Sequence, residues 1–384
     1  MNGAAGMRWK VAATRRIEYD LVSVDDVFDP GNDALLSVGR IDGGRRFVVV
    51  DDVVYRHHGG RLETYFARHG VHARIVPFPG GEAGKTMAAW ESLLQALDDF
   101  PIHRRDEPVI AIGGGVLTDV VGFMASSYRR GVPHIKVPTT LMGYVDASVG
   151  IKTGINFNGH KNRIGSFEPP ARVLLDRRLL ATLAPRHLRN GACEIIKLGV
   201  VKDAPLFAEL EQCGAASLGA AFQDRAGGRI LDRAIASMLE ELAPDLHEDQ
   251  LARKVDFGHT FSYGLETRHE DRLLHGEAVL LDILVSTAIA HGRKLLPRTD
   301  AARILALVGR LGITPETALL DDGLMWQSLQ DRIEHRNGSQ HVPLPVAIGD
   351  CAFADDITRA ELAASIATLN QWMPHHEPVA ESEC

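Results

Sequence analysis

Three side chains far apart in the chain carry the donor types of a divalent-metal site: Glu194, His259 and His275. One carboxylate and two imidazoles suit Zn2+ and leave coordination positions open for a substrate oxygen, which the ion then polarises. Their spacing does not bring them together by itself, unlike the local HExxH pattern. With 17 histidines in the chain, any single one reads more readily as a surface or structural residue than as a ligand. Glu194 and Lys197 lie three apart on a predicted helix and share a face. His259 stands in DFGHTF and His275 in LLHGEAV, where it opens a further predicted helix.

A second constellation is Ala111–Asp119, AIGGGVLTD, with three consecutive glycines between a predicted strand and a predicted helix over Val120–Ser127. Glycines there let backbone N–H groups approach a pyrophosphate, which also gains from the helix N-terminus. The run is not GxGxxG, so a tight strand-to-helix turn without a ligand stands beside the nucleotide reading. Asp51, at the end of an earlier strand, has the acceptor oxygens for a ribose or is simply solvated. Val137–Asn162 then sets Thr139, Thr140, Asp146, Lys152, Asn156, Lys161 and Asn162 among apolar and glycine residues. Two lysines and two asparagines bracketing glycine turns suit an oxygen-rich ligand. Arg129 and Arg130, before Gly131, offer the guanidinium fork that fits phosphate.

These groups need a frame. Arg45–Asp52 (RRFVVVDD), Ala73–Pro77 and Pro108–Ile112 are short apolar runs that read as buried parallel strands. Helical stretches around Gly60–His69 and Lys85–Asp99 separate them. Such alternation predicts a doubly wound sheet with ligands at the carboxyl ends of its strands. Beyond about Leu175, helical spacing runs through Arg177–Val201, Pro205–Gln212, Arg229–Leu242, Gly276–His291 and Ala301–Leu311, with one late strand-like stretch at His341–Ile348. The expected fold class is therefore α/β, with a Rossmann-like parallel-sheet nucleotide domain over residues 1–180. A mainly helical metal- and substrate-binding domain follows over 181–384, with a cleft between the two.

The 384 residues suit two domains. A 45% hydrophobic share, 24% charged residues and a net charge of −8 describe an ordinary globular protein and argue against nucleic acid or a membrane as partner. A small anion still needs only a few local cations. Four cysteines without CxxC spacing, and no apolar leader, predict a reducing cytoplasm. No apolar run approaches the roughly 18 residues of a membrane span. Met1–Met7 and Pro374–Cys384 read as loose tails.

In order along roughly residues 45–350, GGGVLTDVVGF, YRRGVPHIKVPTTL, VDASVGIKTGINFNGHKNRIG, NGACEIIKLGVVKD, FGHTF and HGEAV resemble the sugar phosphate cyclase superfamily, whose best-known member is 3-dehydroquinate synthase. The resemblance implies that fold, NAD and a divalent metal (Zn or Co) as cofactors, and a homodimer. Position by position it places NAD contacts on Asp51, Glu82, Lys85, Gly114, Gly115, Asp119, Thr139, Thr140, Lys161 and Thr182. It places metal ligands on Glu194, His259 and His275, and substrate groups on Arg130, Asp146, Lys152, Asn162 and Lys197.

The chain also departs from dehydroquinate synthase. Asp256 replaces the Asn of the family's Asn-Phe-Gly-His and joins the substrate-side candidates, Tyr263 replaces the His four positions after the metal His, and Met238–Leu242 stands where a substrate Lys is expected. FNGHKNRIG, MLEEL and Arg186–Leu188 are similar to the sedoheptulose 7-phosphate cyclases, although Tyr263 and PDLHE (Pro244–Glu248) differ from that subgroup's pattern. The implied reaction turns sedoheptulose 7-phosphate into a valiolone-type C7 cyclitol, 2-epi-5-epi-valiolone or its 2-epi isomer. It proceeds by transient oxidation with NAD, phosphate elimination, reduction and intramolecular aldol closure. This is a phosphorus–oxygen lyase with a small sugar phosphate as its partner, serving the synthesis of C7 aminocyclitols. Dehydroquinate synthase activity and a metal-dependent alcohol dehydrogenase of related architecture are the alternatives. His335 and Arg336, in EHRNG, are further pocket candidates or part of a solvated loop.

Overall fold

The apolar runs assemble as parallel strands. The structure, a computed structural model, describes residues 7–40, 44–335 and 338–373, with the backbone alone at His335. Its first part holds β1 (Asp20–Ser23), β2 (Arg45–Asp51), α1 (Asp52–Arg68), β3 (His72–Phe78), α2 (Met87–Asp98), β4 (Val109–Gly113), α3 (Gly115–Ser127), β5 (His134–Pro138), β6 (Lys152–Phe157), β7 (His160–Phe167) and β8 (Arg172–Leu175). A six-stranded sheet runs β1-β8-β5-β4-β2-β3, each neighbouring pair parallel, while β6 and β7 form a separate antiparallel hairpin. The strand order reverses between β2 and β4. Their carboxyl ends, at Asp51 and Gly113, therefore open on the crevice where such sheets bind ligands.

The continuous run Phe47–Val50 is buried because helices cover both faces of the sheet. Val48 and Val50 meet Leu62, Tyr65 and Phe66 of α1 on one face. Phe47 and Val49 meet α2 and α3 on the other, through Leu93, Leu97, Leu117 and Val121.

After β8 the chain becomes helical: α4 (Pro185–Val201), α5 (Ala204–Glu209), α6 (Ala215–Gly219), α7 (Arg225–Leu242), α8 (Ser262–Arg268), α9 (His275–Gly292), α10 (Arg298–Arg310) and α11 (Asp322–His335). The antiparallel pair β9 (Val342–Ala347) and β10 (Asp350–Ala354) and then α12 (Arg359–Trp372) follow. α4 is buried without interruption from Asn190 to Val201, and α9 from Ala278 to Ala290. α9 is apolar on nearly every side, as a helix at a core's centre is, and α4 packs against it there with a polar face of its own. That core reaches back to Leu141, Val145, Val173 and Leu175, so β8 and the helices share it.

The expected α/β class and helical second part both hold. The stretch read as a helix from Gly60 is the second half of α1, which begins at Asp52 and is capped by Asp51. Val137–Asn162, read as ligand-binding segment, is built from the end of β5, a π-helical turn at Gly143–Ala147, β6 and the start of β7. The late strand-like stretch is half of a hairpin. Among the described residues no helix is long and apolar enough to cross a membrane. Arg336, the first predicted tail except Met7, and the whole of the second lie outside the described residues, as does the side chain of His335.

Candidate active site

Asn190, Glu194 and Lys197 recur at i, i+4 and i+7, so one face of α4 carries all three. α9 begins against that face. A Cβ on Gly276 would stand 2.0 Å from the Asn190 carbonyl oxygen, and the Gly276 N–H donates to Asn190 Oδ1 at 2.7 Å. His275, the first residue of α9, is thereby set beside Glu194. The first turn of α9 is held by Glu277, whose carboxylate accepts from the Leu274 N–H at 2.9 Å and from Arg186 Nε at 2.8 Å. His259 is aimed by a turn in which Gly258 adopts φ 77° and the His259 N–H donates to the Asp256 carbonyl at 2.9 Å. Arg332 of α11 donates to the His259 carbonyl at 2.7 Å. Asp282 of α9 accepts from the N–H groups of Phe261 and Ser262 at 2.5 and 3.0 Å, tying the turn to the helix.

One ligand atom from each of Glu194, His259 and His275 lies within 4.8 Å of the others. Nε2 of His275 is 3.5 Å and Nε2 of His259 3.8 Å from the same oxygen, Glu194 Oε1. Each Nδ1 is engaged on the far side, that of His275 with Glu266 Oε2 at 3.1 Å and that of His259 with the Phe257 carbonyl at 3.2 Å. Such partners fix the tautomer that leaves Nε2 free as a ligand. Glu194 is wholly buried, and neither of its oxygens accepts a hydrogen bond of normal geometry. A buried carboxylate without such partners is costly unless a cation compensates it. Lys197 Nζ, 2.5 Å from Oε2, is one cation. A divalent ion held by Glu194, His259 and His275 would be the other, and the donor set fits it.

The buried charges of the cluster act strongly on one another. Burial opposes the charge on Glu194, but Lys197 and the two imidazoles outweigh it and hold the carboxyl far below its usual range. Burial would lower His275, yet Glu266 and Glu194 push it up to about 10. His259, dominated by burial and facing Lys197, is pulled down to about 3. Glu266, despite burial, is held at about 2 by His275 and Lys161. Asp146 is raised by burial and by the Glu194 charge.

A cavity of about 1700 Å³ has His259 and His275 on one wall and Gly114 and Gly115 on another. Gly114 caps α3 without any side-chain cap, and a Cβ on Gly114 or Gly115 would stand 3.0 Å from Thr140 Cγ2 or Ala147 Cβ. The first-turn N–H groups of α3 are thus left for an anion, in a cradle too narrow for side chains. Thr139 and Thr140 line the same wall. Nearby, Lys85 Nζ pairs with Asp119 Oδ2 at 2.7 Å, and Asn156 donates to Glu82 at 2.7 Å. Asp51 lines the cavity while its Oδ1 caps α1 through the Val53 and Val54 N–H groups, at 2.8 and 3.3 Å. Thr182 and Lys161 complete the positions expected at a nucleotide, and all of them border this one space.

Of the expected substrate groups, Asp146, Lys152, Asn162, Lys197 and Asp256 line the cavity. Arg130 does not. It is exposed beyond α3 at φ 62°, and its carbonyl accepts from Arg104 at 3.0 Å. The guanidinium fork expected from Arg129 and Arg130 is therefore not part of this wall, because the left-handed turn there leads away from it.

Sequence reading missed Glu266, Glu248, Arg253 and Arg332, all on the cavity wall. Glu266 joins His275 to Lys161, whose Nζ lies 2.6 Å from its Oε1. Tyr263, one turn earlier on α8, accepts the Lys161 N–H at 3.1 Å. The i, i+3 spacing of Tyr263 and Glu266 was the available signal. Arg253 forks onto Asp256 at 2.6 and 3.2 Å, and Arg332 meets the same carboxylate at 3.2 Å.

Comparison with known proteins places these features in context. Residues 75–190 match the family 3-dehydroquinate synthase N-terminal, and residues 191–341 match 3-dehydroquinate synthase C-terminal. A 2-epi-5-epi-valiolone synthase from Actinoplanes sp. is 46% identical over 93% of this chain and 92% of its own length. A 2-epi-valiolone synthase from Actinosynnema mirum is 34% identical over 94% of each. The solved structure of ValA, the 2-epi-5-epi-valiolone synthase of Streptomyces hygroscopicus subsp. jinggangensis 5008 with NAD+ and Zn2+ bound, superposes with a TM-score of 0.91 at 42% identity. That match covers 95% of this chain and all of the ValA chain.

Proposed function

The chain belongs to the 3-dehydroquinate synthase family, and within it we propose that it is a sedoheptulose 7-phosphate cyclase that forms 2-epi-5-epi-valiolone with release of phosphate. The observation that carries this reading is one cavity lined both by the uncapped glycine turn of α3 and by His259 and His275, the two imidazoles that face the buried Glu194. The higher identity to the 2-epi-5-epi-valiolone synthase than to the 2-epi-valiolone synthase, 46% against 34%, supports that product.

When bound, NAD would exchange a hydride with the substrate and a divalent ion, Zn or Co, would polarise the oxygen at the same carbon. The chain's own groups do the rest. The α3 N-terminus, with Thr139 and Thr140 beside it, would hold the dinucleotide phosphates, and Asp51 has a carboxylate oxygen outside the α1 cap for a ribose hydroxyl. Glu194, His259 and His275 would hold the ion. Lys197, buried one turn from Glu194 and kept protonated by Glu194 and Asp146 against the effect of burial, would steady negative charge on substrate oxygens. Lys152 and Asn162 would anchor the phosphate. A departing phosphate can take the neighbouring proton itself, so no separate protein base is needed.

The proposal includes two units, over residues 1–180 and 181–384, meeting at this cavity. It also includes a homodimer, lyase chemistry and a place in the synthesis of C7 aminocyclitols, supported by the family motifs, and a cytoplasmic location, supported by four cysteines without CxxC spacing. A substrate panel tests it. Sedoheptulose 7-phosphate should be consumed and NMR of the product should show 2-epi-5-epi-valiolone. Preferential turnover of the heptulosonate phosphate would instead make the protein a dehydroquinate synthase.

A further inference from the structure

Lys152 and Arg253 direct cationic nitrogens at one atom, Oε1 of Glu248. They come from different places, since Lys152 opens β6 beside the sheet while Glu248 and Arg253 lie on the loop after α7. All three line the cavity. Arg253 also has Asp256, in a two-pronged contact at 2.6 and 3.2 Å. The only ion pair of Lys152 among the described residues is the one with Glu248.

The two partners differ in freedom. The Lys152 side chain is 62% exposed on a flexible four-carbon stem, against 22% for Glu248. The Glu248 backbone is held in the left-handed region, at φ 59°, by donation from its N–H to the Asp245 carbonyl at 3.0 Å. The Asp245 carboxylate shapes the same loop by accepting from the Asp249 and Gln250 N–H groups, each at 2.9 Å. A fixed carboxylate thus meets a movable ammonium at the cavity wall. We propose that Glu248 is a displaceable counter-ion, a positioning residue that holds Lys152 against the wall until the phosphate of the substrate takes over its ammonium. This rests on the reading of Lys152 as phosphate anchor given above. A phosphate monoester carries more negative charge than a carboxylate and offers three strong acceptor oxygens, so it wins the ammonium. The Glu248 charge stays nearby and weakens the anion's hold, which favours release of the phosphate once it is cleaved.

The test is calorimetric titration of inorganic phosphate into the protein loaded with NAD and Zn2+, at fixed ionic strength. Glu248→Gln should bind phosphate roughly five- to tenfold more tightly than the wild type, the effect of removing one like charge about 4 Å away in a water-accessible site. The gain should vanish in the Lys152→Met/Glu248→Gln double variant. Equal or weaker phosphate binding by folded Glu248→Gln, or a gain that survives without Lys152, overturns the proposal. If Glu248→Gln does not fold, Glu248→Asp, which withdraws the carboxylate from Lys152, must show the tighter binding instead. Absence of turnover of sedoheptulose 7-phosphate by the wild type would remove the cyclase reading, whereas the phosphate titration reports on the counter-ion alone.

Discussion

At the scale of single residues, Glu194 concentrates the chemistry because it is a fully buried carboxylate whose compensation is Coulombic: the Lys197 ammonium, and the ion that Glu194 would hold together with two imidazoles. Glu194→Gln removes the charge and keeps the shape. Zinc content after dialysis should fall well below one ion per chain, and turnover should drop by about 10²–10³-fold, the usual worth of an electrostatic contribution of this kind. Glu266 acts one step further out. Glu266→Gln should weaken zinc binding by roughly 10- to 100-fold, measured by competition with a chromophoric chelator, because His275 loses the carboxylate that orients its Nδ1. Unchanged affinity would show that the α9 helix alone orients the imidazole. Donor types were readable from the chain at this scale, but convergence was not. Nothing in the spacing of residues 194, 259 and 275 shows that two imidazoles face one carboxylate oxygen, and nothing in the residue type of Arg130 shows that its turn leads away from this chain's own cavity.

At the scale of elements, the site depends on α9 lying hard against α4. Gly276→Ala sets a methyl group 2.0 Å from the Asn190 carbonyl, so the helices must separate. Such overpacking costs about 1–3 kcal/mol. The melting temperature should fall, and zinc affinity with it, because His275 is the neighbouring residue. β5 supplies a different prediction. His134, fully buried with neither ring nitrogen hydrogen-bonded, is lowered to about 3 by burial and then by Lys136. An unfolded chain binds that proton near the ordinary imidazole pKa of about 6.5. Below 6.5 the unfolded state therefore takes up a proton that the fold refuses, and stability is lost as pH falls from 6.5 toward 3, by up to about 1.4 kcal/mol per pH unit. Chemical denaturation of His134→Met should show a shallower acid limb over that window, whereas an unchanged limb would mean that His134 gains access to water. Several elements were legible that sequence reading passed over. Asn158 and Gly159 both have positive φ, 53° and 77°, at the turn between β6 and β7, and Asn-Gly is a strong hairpin signal. Its polar density suggested ligand binding first. α12 likewise carries buried Leu362, Ile366 and Leu369 at helical spacing.

At the scale of the molecule, the β2–β4 crevice and the α4–α9 pair are separate pieces of architecture that border one cavity. The doubly wound sheet was legible from its buried strands because a parallel sheet covered on both faces writes continuous apolar runs. The shared cavity was not, since it depends on how the second core grips Leu141, Val145 and β8. Ligands that touch both parts should stabilise the whole. NAD and Zn2+ together, each at about 100 times its Kd, should raise the melting temperature, with each ligand contributing about 2.7 kcal/mol. A rise equal to that from Zn2+ alone would mean that the cofactor does not bind the folded cavity. The central claim is that the two walls work on one substrate and that the hydride returns to it. Its most direct measurement follows phosphate and NADH together while the loaded wild type consumes sedoheptulose 7-phosphate. One phosphate should be released per sugar consumed with no net NADH at the end of many turnovers, and NADH accumulating in step with substrate loss would contradict the account.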